Sequence, residues 1–289
     1  MIRVITVIKG LRKSSLFFLP VEHPQGAKHK NLKIACLALF LFFLISIQSC
    51  ESNEGQTNPE KGAYVILLHG FGRTNRSMDK LENHISDSGY SVINVNYPST
   101  KYPIEYLADE ILNDVIQKNI KNSVLKIHFV THSMGGIVMR YYLKYHELPN
   151  LGRVVMLSPP NQGTELVDFF KDTFFFNIFD WPAGQQLGTG EDSIPINLGP
   201  VDFELGIITG NKSFNPFYST ILSGPDDGIV TVERAKVEGM SDFIVLPHSH
   251  TFIILNNEVI EQVIHFLEHG RFRHESPDAN EAPRYEGHG

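Results

Sequence analysis

Cysteine is nearly absent from this chain of 289 residues, which has only Cys36 and Cys50. Both lie in the first fifty residues, so the rest of the chain has no disulfide bond to stabilise it. A domain of this size buries enough apolar surface to fold without one, and 42% of the residues are hydrophobic. The composition therefore predicts one sizeable globular domain with additional tails.

Positive charge is also scarce after the first 49 residues. The chain has 25 Lys/Arg and 32 Asp/Glu residues, and seven of the basic residues but only one acidic residue lie before residue 50. Residues 50–289 therefore carry 18 basic and 31 acidic side chains, a formal net charge of −13. A surface this acidic repels phosphate backbones and anionic headgroups. We predict no nucleic-acid partner, and any membrane contact would rely on apolar groups.

A hydrophobic run of membrane-spanning length is missing as well. Residues 34–47, IACLALFLFFLISI, form an apolar run of 14 residues. A transmembrane helix needs about 20 such residues, whereas the apolar core of a signal peptide is shorter and follows basic residues. Lys28, Lys30 and Lys33 precede the run. Residues 1–49 are therefore predicted to be a targeting segment, and the protein is predicted to be exported.

The residues around Cys50 resemble the lipobox of bacterial lipoproteins. In that motif a small residue, here Ser49, precedes a cysteine that is acylated and becomes the new N-terminus. The resemblance implies a lipoprotein anchored to the cell envelope through Cys50, with residues 50–61 as a polar tether. Ordinary cleavage, giving a secreted or periplasmic protein, and an uncleaved anchor remain open.

From residue 62 onward, short apolar segments alternate with amphipathic ones, which indicates strands alternating with helices. This alternation predicts an α/β fold with a mostly parallel sheet and helices on both faces. The six predicted strands are residues 63–70, 90–98, 124–132, 153–160, 204–210 and 242–247.

Two segments interrupt the alternation. Residues 161–203 contain six phenylalanines and Trp181 within residues 169–181, and we predict a cap over the sheet there. The aromatic residues would form either a lid that contacts acyl chains or lipid, or core packed against the sheet. Residues 270–289 are polar and are predicted to be a disordered tail, which leaves 62–269 as the main domain.

Chemically reactive side chains follow the predicted strands. Ligands of an open parallel sheet bind at the carboxyl ends of its strands, where loops converge and helices begin. The sequences at these ends are HGFG (69–72), THSMG (131–135), PPNQG (159–163), GPDDG (224–228) and PHSHT (247–251). They contain a hydroxyl, a carboxylate and an imidazole in the order Ser, Asp, His.

This order of residues resembles the α/β-hydrolase fold, and in particular its lipase and esterase members. The motif THSMG matches the nucleophile elbow GxSxG, except that Thr131 replaces the first Gly. The resemblance covers residues 62–268 and implies that Ser133 is the nucleophile of a catalytic triad that needs no cofactor. A serine hydroxyl is a weak nucleophile, so an imidazole must take its proton and a carboxylate must orient that imidazole.

The resemblance also selects between neighbouring candidates for the acid and the base. The lipases in question place the acid before Gly and apolar residues, which selects Asp227 over Asp226. They place the base before a polar turn and a helix, which selects His250 over His248. The pair His248 and His250 could alternatively bind a metal ion, but no third imidazole or cysteine stands at a suitable spacing, so we predict no metal.

The carbonyl oxygen of an ester becomes negatively charged during attack and needs N–H donors already aimed at it. The resemblance assigns these donors to the backbone of Met134, which follows the nucleophile, and of Phe71, which follows the dipeptide HG. The expected activity is hydrolysis of carboxylic esters, with lipids as the first substrate class because of the similarity to triacylglycerol lipases and GPI inositol deacylase-like hydrolases. An acyltransferase with the same triad and an inactive binding protein of this fold remain open.

Overall fold

The computed structural model of the protein describes residues 62–121, 124–172 and 181–274. These residues form one sheet whose strands are β1 (Tyr64–Leu68), β2 (Ser91–Val95), β3 (Ile127–His132), β4 (Leu151–Leu157), β5 (Leu205–Gly210) and β6 (Asp242–Leu246). The strands lie in the order β2-β1-β3-β4-β5-β6, and every neighbouring pair is parallel. The predicted six-stranded parallel sheet is confirmed.

Helices connect the strands. In chain order they are α1 (Asp79–Asp87), α2 (Ile104–Tyr106), α3 (Asn113–Asn119), α4 (Met134–Tyr145), α5 (Glu165–Phe170), α6 (Pro182–Gln185), α7 (Ile194–Leu198), α8 (Pro216–Ile221), α9 (Val232–Ala235) and α10 (Asn257–His269). A π-helical stretch, Leu107–Leu112, joins α2 to α3. Short 3₁₀ turns lie at Asn75–Met78 and Ile253–Leu255. No helix in the described part of the chain is long and apolar enough to cross a membrane.

The sheet is buried on both faces. Side chains alternate between the faces along a strand, so Ile66 and Leu68 of β1 pack in one apolar layer and Val65 and Leu67 in the other. The first layer is completed by α4 and the second by α1 and α10. Because both faces need apolar residues, the strands are continuous apolar runs, which is why the sequence predicts them clearly.

The helical segment after β2 differs from its sequence prediction by one residue. The apolar spacing predicts a single helix over 104–119 with Ile111 and Val115 on its buried face. In the structure these two side chains are only partly buried, and Leu112 and Ile116 are buried instead. The π-helical stretch explains the change, because its wider turn inserts one extra residue and rotates everything after it.

The chain after α10 also differs from its prediction. Gly270 ends the helix in the left-handed conformation, with φ of 71°, and its N–H donates to the carbonyl of Phe266. Phe272 is buried against Phe266, and its N–H donates to Asp242 Oδ2 at 2.7 Å. The predicted start of the disordered tail at Gly270 is therefore wrong for residues 270–274.

Several other predicted segments lie outside the described residues. They are the targeting segment 1–49, the tether 50–61 with Cys50, the tail after residue 274 and residues 173–180 of the insertion. The boundaries assigned to them remain predictions.

The order of the strands determines where a ligand site can form. The chain proceeds from β1 outward to β2, then returns to the other side of β1 with β3 and continues to β6. The winding direction therefore reverses between β1 and β3. Open parallel sheets bind ligands at this switch point, outside the carboxyl ends of the strands.

Candidate active site

Ser133 lies in a sharp turn between β3 and α4. Its φ and ψ are 53° and −128°, a region that is costly for a residue with a side chain and is typical of strained functional turns. The turn is held by the Ser133 N–H, which donates to the carbonyl of Leu157 at 2.9 Å. Ser133 is thereby placed at the switch point with its hydroxyl beyond the end of the strand.

Glycines allow α4 to begin tightly against the neighbouring strands. A Cβ atom at Gly135 would lie 2.5 Å from the carbonyl oxygen of Leu68, so only glycine fits there. A Cβ atom at Gly136 would lie 3.2 Å from Thr131 Oγ1. The missing side chain at Gly136 therefore makes room for Thr131, which explains how this elbow accommodates a larger residue at its first position.

The structure brings the three predicted triad residues together. His250 Nε2 lies 2.9 Å from Ser133 Oγ, and His250 Nδ1 lies 2.9 Å from Asp227 Oδ2. With the Nδ1–H donating to the carboxylate, the Nε2 atom is left to accept the serine proton. The three side chains form one continuous hydrogen-bonded chain.

Asp227 is buried and fully hydrogen-bonded. Its Oδ1 accepts the N–H groups of Ile229 at 3.0 Å and Val230 at 2.8 Å. Burial raises the pKa of this carboxyl, but the charge of His250 and the hydrogen bonds from His250 and Val230 outweigh burial and bring the pKa below its usual value. The side chain is therefore a carboxylate at neutral pH, as a group that orients an imidazole must be.

The two neighbouring candidates make different contacts. Asp226 Oδ1 accepts the N–H of Gly228 at 2.7 Å and the hydroxyl of Ser219 at 3.1 Å, so this carboxylate stabilises the turn that carries Asp227. His248 Nε2 lies 3.6 Å from a carboxylate oxygen of Glu258 on α10. Among the described contacts, neither side chain is linked to Ser133.

The two predicted oxyanion donors follow neighbouring strands, Phe71 after β1 and Met134 after β3. Met134 is the first residue of α4, where a helix leaves its N–H groups unpaired. Phe71 follows β1, and its ring contacts Trp181 at the start of α6. Among the described residues, no group accepts a hydrogen bond from the backbone N–H of Phe71 or Met134. Both donors are therefore available to a ligand.

The loop before Phe71 is held in place by His69 and Tyr97. The His69 ring stacks on Tyr97 at 4.1 Å, and the Tyr97 hydroxyl donates to the His69 carbonyl. His69 Nδ1 lies 2.9 Å from the carbonyl oxygen of Gly70. Burial lowers the pKa of His69, so its imidazole is neutral at pH 7. Tyr97 is not among the residues predicted from the sequence, although it follows β2 and the carboxyl ends of the strands are where functional residues of this sheet are expected.

His132 connects the nucleophile turn to the histidine loop. Its Nε2 lies 2.8 Å from the backbone carbonyl oxygen of His250, to which the protonated nitrogen donates. Burial, followed by the nearby charge of His250, lowers the pKa of His132 to about 3. A neutral His132 therefore holds His250 through the backbone. No sequence pattern signals this contact, because it joins residues 118 positions apart.

A metal site is not formed by the described residues, among which no three His, Cys, Asp or Glu side chains lie close enough to hold an ion. The chemistry available at the switch point is that of the hydroxyl, the imidazole, the carboxylate and the two N–H donors.

A parallel sheet with a strained serine turn after β3 and an acid and a histidine after β5 and β6 is the arrangement of the α/β-hydrolase fold. Residues 58–171 match the family model described as "Putative serine esterase (DUF676)". The matched region includes Phe71 and Ser133 but ends before Asp227 and His250. The predicted resemblance to serine esterases is confirmed over this region, which is less than half of the chain.

Solved structures of lipases and esterases have the same fold. The mature lipase BlEst2 of Bacillus licheniformis is 19% identical, with a TM-score of 0.57 over 72% of this chain and 93% of that chain. Phospholipase PlaB of Legionella pneumophila is 17% identical, with a TM-score of 0.57 over 71% and 59%. The metagenomic carboxyl esterase MGS0156 is 16% identical, with a TM-score of 0.54 over 67% and 66%. A comparison with curated protein sequences finds no match.

Proposed function

We propose that this protein is a serine hydrolase that cleaves carboxylic esters through an acyl-enzyme intermediate. The observation that supports this most directly is the hydrogen-bonded chain from Ser133 through His250 to Asp227, with 2.9 Å at both contacts. The backbone N–H groups of Phe71 and Met134, which have no recorded acceptor among the described residues, support it as the proposed oxyanion donors. A strained backbone at a serine costs conformational energy and is typical of functional sites, so a strained serine within hydrogen-bond distance of an oriented imidazole argues against an inactive protein.

The first half of the proposed reaction forms the acyl-enzyme. Ser133 Oγ attacks the ester carbonyl carbon while His250 Nε2 takes the hydroxyl proton. The carbonyl electrons move to oxygen, where the N–H groups of Phe71 and Met134 donate to the developing charge. Donors of this kind are worth about 3 to 4 kcal/mol each. When the bond to the alcohol oxygen breaks, His250 gives its proton to that oxygen and the alcohol leaves.

The second half releases the acid. A water molecule attacks the acyl-enzyme carbonyl while His250 Nε2 takes one of its protons, and the same two N–H groups hold the oxyanion. The bond to Ser133 Oγ then breaks, and the proton returns from His250 to the serine. Asp227 stays ionised throughout and stabilises the imidazolium that forms in each half. An acyltransferase would differ only in the acceptor, so product analysis with glycerol competing against water separates the two activities.

Labelling with a fluorophosphonate tests the assignment of the nucleophile. We expect the probe to attach covalently to Ser133, located by peptide mass spectrometry, because its hydroxyl contacts the imidazole of His250 and no other hydroxyl among the described residues does so. Ser133→Ala should abolish labelling. Ser249→Ala is the matched control, since Ser249 is also buried and precedes His250, and it should be labelled like the unmodified protein. A folded protein that is not labelled would contradict the proposal.

An exposed aromatic patch beside the site supports lipid-type substrates. We use this name for Phe169, Phe214, Phe217 and Phe252, which are all exposed; Phe214 is 79% exposed. Phe214 lies 6.0 Å from Phe252 between ring centroids, and Phe169 lies 6.2 Å from Phe217. Apolar surface concentrated in this way marks an interaction site more often than scattered exposed residues do.

The patch is carried by the same segments that hold the triad. Phe252 stands two residues after His250. Phe217 is on α8, which the hydroxyl of Ser219 ties to Asp226 in the turn that carries Asp227. A lipid surface that contacts the patch would therefore present its esters close to Ser133.

A lipid anchor at Cys50 would act together with this patch. The twelve residues 50–61 reach at most about 40 Å when extended, so an anchored domain stays within that distance of the membrane. We propose that the anchor holds the domain near the membrane while the aromatic patch contacts the lipid surface, and that the protein is exported and acts at the cell envelope. The lid that is one of the two alternatives for the Phe-rich insertion would include residues 173–180, which lie outside the described residues.

Replacing Phe214 and Phe252 together with Ser tests the role of the patch. We expect hydrolysis of phosphatidylcholine vesicles or emulsified triacylglycerol to fall by about tenfold or more, because inserted rings are lost. Hydrolysis of a water-soluble short ester should change much less. The control is Tyr145→Ser, an exposed aromatic at the far end of α4, which should affect neither. Equal losses on both substrates would mean that the rings support the fold of the site instead.

A further inference from the structure

A cavity opens beside the loop that follows β1 and carries Phe71, here called the oxyanion loop. Its volume is about 340 Å³, and it is lined by residues 72–74, which follow β1, and residues 96–101, which follow β2. It begins directly after Phe71, whose N–H is one of the proposed oxyanion donors. The cavity therefore adjoins the reaction centre on the side away from β5 and β6, and the proposed reaction leaves it without a role.

The charges lining this cavity are of one sign. Arg73 and Lys101 are among the lining residues, and no Asp or Glu is. The contrast with the rest of the protein is large, because residues 50–289 carry a net charge of −13 by the count of 18 basic and 31 acidic side chains. Neither cation has an ion pair recorded within the described part of the chain, and two such cations in a shared cavity favour an anionic ligand.

The polar groups of the cavity are mainly donors, for a structural reason. Ser99 Oγ accepts the N–H of Gly72 at 3.1 Å, so the Ser99 hydroxyl hydrogen remains to donate. Asn96 Oδ1 accepts the N–H of Asn75 at 3.4 Å, which leaves the Asn96 amide N–H₂ group. The acceptor atoms of both side chains are thus engaged by backbone. Each side chain keeps a donor for a ligand, the Ser99 hydroxyl hydrogen and the Asn96 amide hydrogens, which an oxyanion can accept and a neutral apolar group cannot.

Arg73 connects the cavity to the catalytic histidine loop. Its Nη2 donates to Thr251 Oγ1 at 3.2 Å, and Thr251 directly follows His250. Arg73 is itself two residues after Phe71. The guanidinium therefore stands between the oxyanion loop and the histidine loop, close enough to contact a group attached to the ester.

We propose that this cavity binds an anionic group, such as phosphate, on the alcohol portion of the ester substrate. The inference rests on the proposed function and narrows its substrate class. An ester carbonyl at Ser133 has its acyl and alcohol portions extending in different directions. The aromatic patch, formed after β4, β5 and β6, suits the acyl chain, and the cationic cavity, formed after β1 and β2, suits a charged alcohol.

Two substrates with the same acyl chain test the inference. They are 1-decanoylglycerol and 1-decanoylglycerol 3-phosphate, which differ only in the phosphate. We expect kcat/KM to favour the phosphate ester, and Arg73→Gln to lower the ratio of the two kcat/KM values by about tenfold, since a charge-assisted hydrogen bond is lost. Arg73→Lys should restore part of the ratio. A ratio unchanged in Arg73→Gln and Lys101→Gln would overturn the inference.

The control is Arg76→Gln, which removes the same charge three residues later from an exposed position outside the cavity lining. It should leave the ratio unchanged, and an equal fall would mean that the preference reflects general electrostatics.

Calorimetry with inorganic phosphate measures anion binding to the cavity without hydrolysis, so it separates failure of this inference from failure of the proposed reaction. Phosphate binding that is lost in Arg73→Gln supports the cavity. Phosphate binding without preference for the phosphate ester would assign the cavity to a free anion and overturn its role in substrate selection.

Discussion

Replacing His250 with Ala is expected to lower kcat for ester hydrolysis by about 10⁶-fold, the loss seen when a triad base is removed. The substitution removes the only imidazole in contact with Ser133 Oγ among the described residues. The loop should keep its position, because its other contacts use the backbone of residue 250. The N–H donates to the carbonyl of Asp227 at 2.9 Å, and the carbonyl accepts from His132.

His248→Ala is the matched comparison, two positions away in the same loop. Its imidazole lies 3.6 Å from a carboxylate oxygen of Glu258 and has no recorded contact with Ser133, so kcat should stay within about tenfold of the unmodified value. Both variants are measured with a soluble ester at saturating concentration, and their thermal unfolding is compared with that of the unmodified protein. Equal losses in two folded variants would mean that the base has been assigned wrongly.

The fold is predictable from sequence because its signals are local. Both faces of the sheet are covered, so each strand needs an unbroken apolar run such as Tyr64–Leu68, and each run ends at a polar or small residue. Caps mark α10 equally well, with the Asn256 side chain accepting the N–H of Glu258 and Gly270 ending the helix. Features of this kind depend on neighbours within one or two turns.

The errors arise where local patterns do not determine the geometry. The π-helical stretch at Leu107–Leu112 changes the hydrogen-bond spacing without changing residue types, so the apolar spacing alone placed Ile111 where Leu112 is buried. Likewise, the chain after Gly270 is polar in composition, and composition does not predict that the ring of Phe272 packs against Phe266. Tertiary packing decides both outcomes.

The candidate site contains both features that local sequence predicts and features that depend on tertiary structure. The strained turn at Ser133 is a local feature with a recognisable motif, whereas the choice of Asp227 and His250 needed the resemblance to a known fold, since the base lies 117 residues from the serine. Periodicity could not have chosen between Asp226 and Asp227. Contacts made by the loop after β2, such as Ser99 to Gly72, could be predicted only once β2 was known to lie beside β1.

Asp227→Asn, which replaces the carboxylate by an amide of the same size, should lower kcat by about 10⁴-fold. The side chain keeps its size, and its carbonyl oxygen can still accept the N–H groups of Ile229 and Val230. The amide N–H₂ group, however, would then face His250 Nδ1. Because the amide donates to Nδ1, Nδ1 must accept that hydrogen bond and cannot carry the imidazole proton. The proton therefore lies on Nε2, and His250 can no longer take a proton from Ser133.

Asp226→Asn makes the same chemical change one residue earlier and should cost far less. Asp226 uses Oδ1 to accept from Gly228 and Ser219, and an asparagine oxygen can keep both bonds, so the turn persists and kcat should fall by about tenfold at most. The pair is measured with one soluble ester across pH 6 to 9, with circular dichroism to confirm folding. Similar losses in the two variants would show that the turn matters as a unit and that Asp227 does not orient His250; a loss confined to Asp227→Asn would establish the carboxylate as the group that maintains the reactive tautomer.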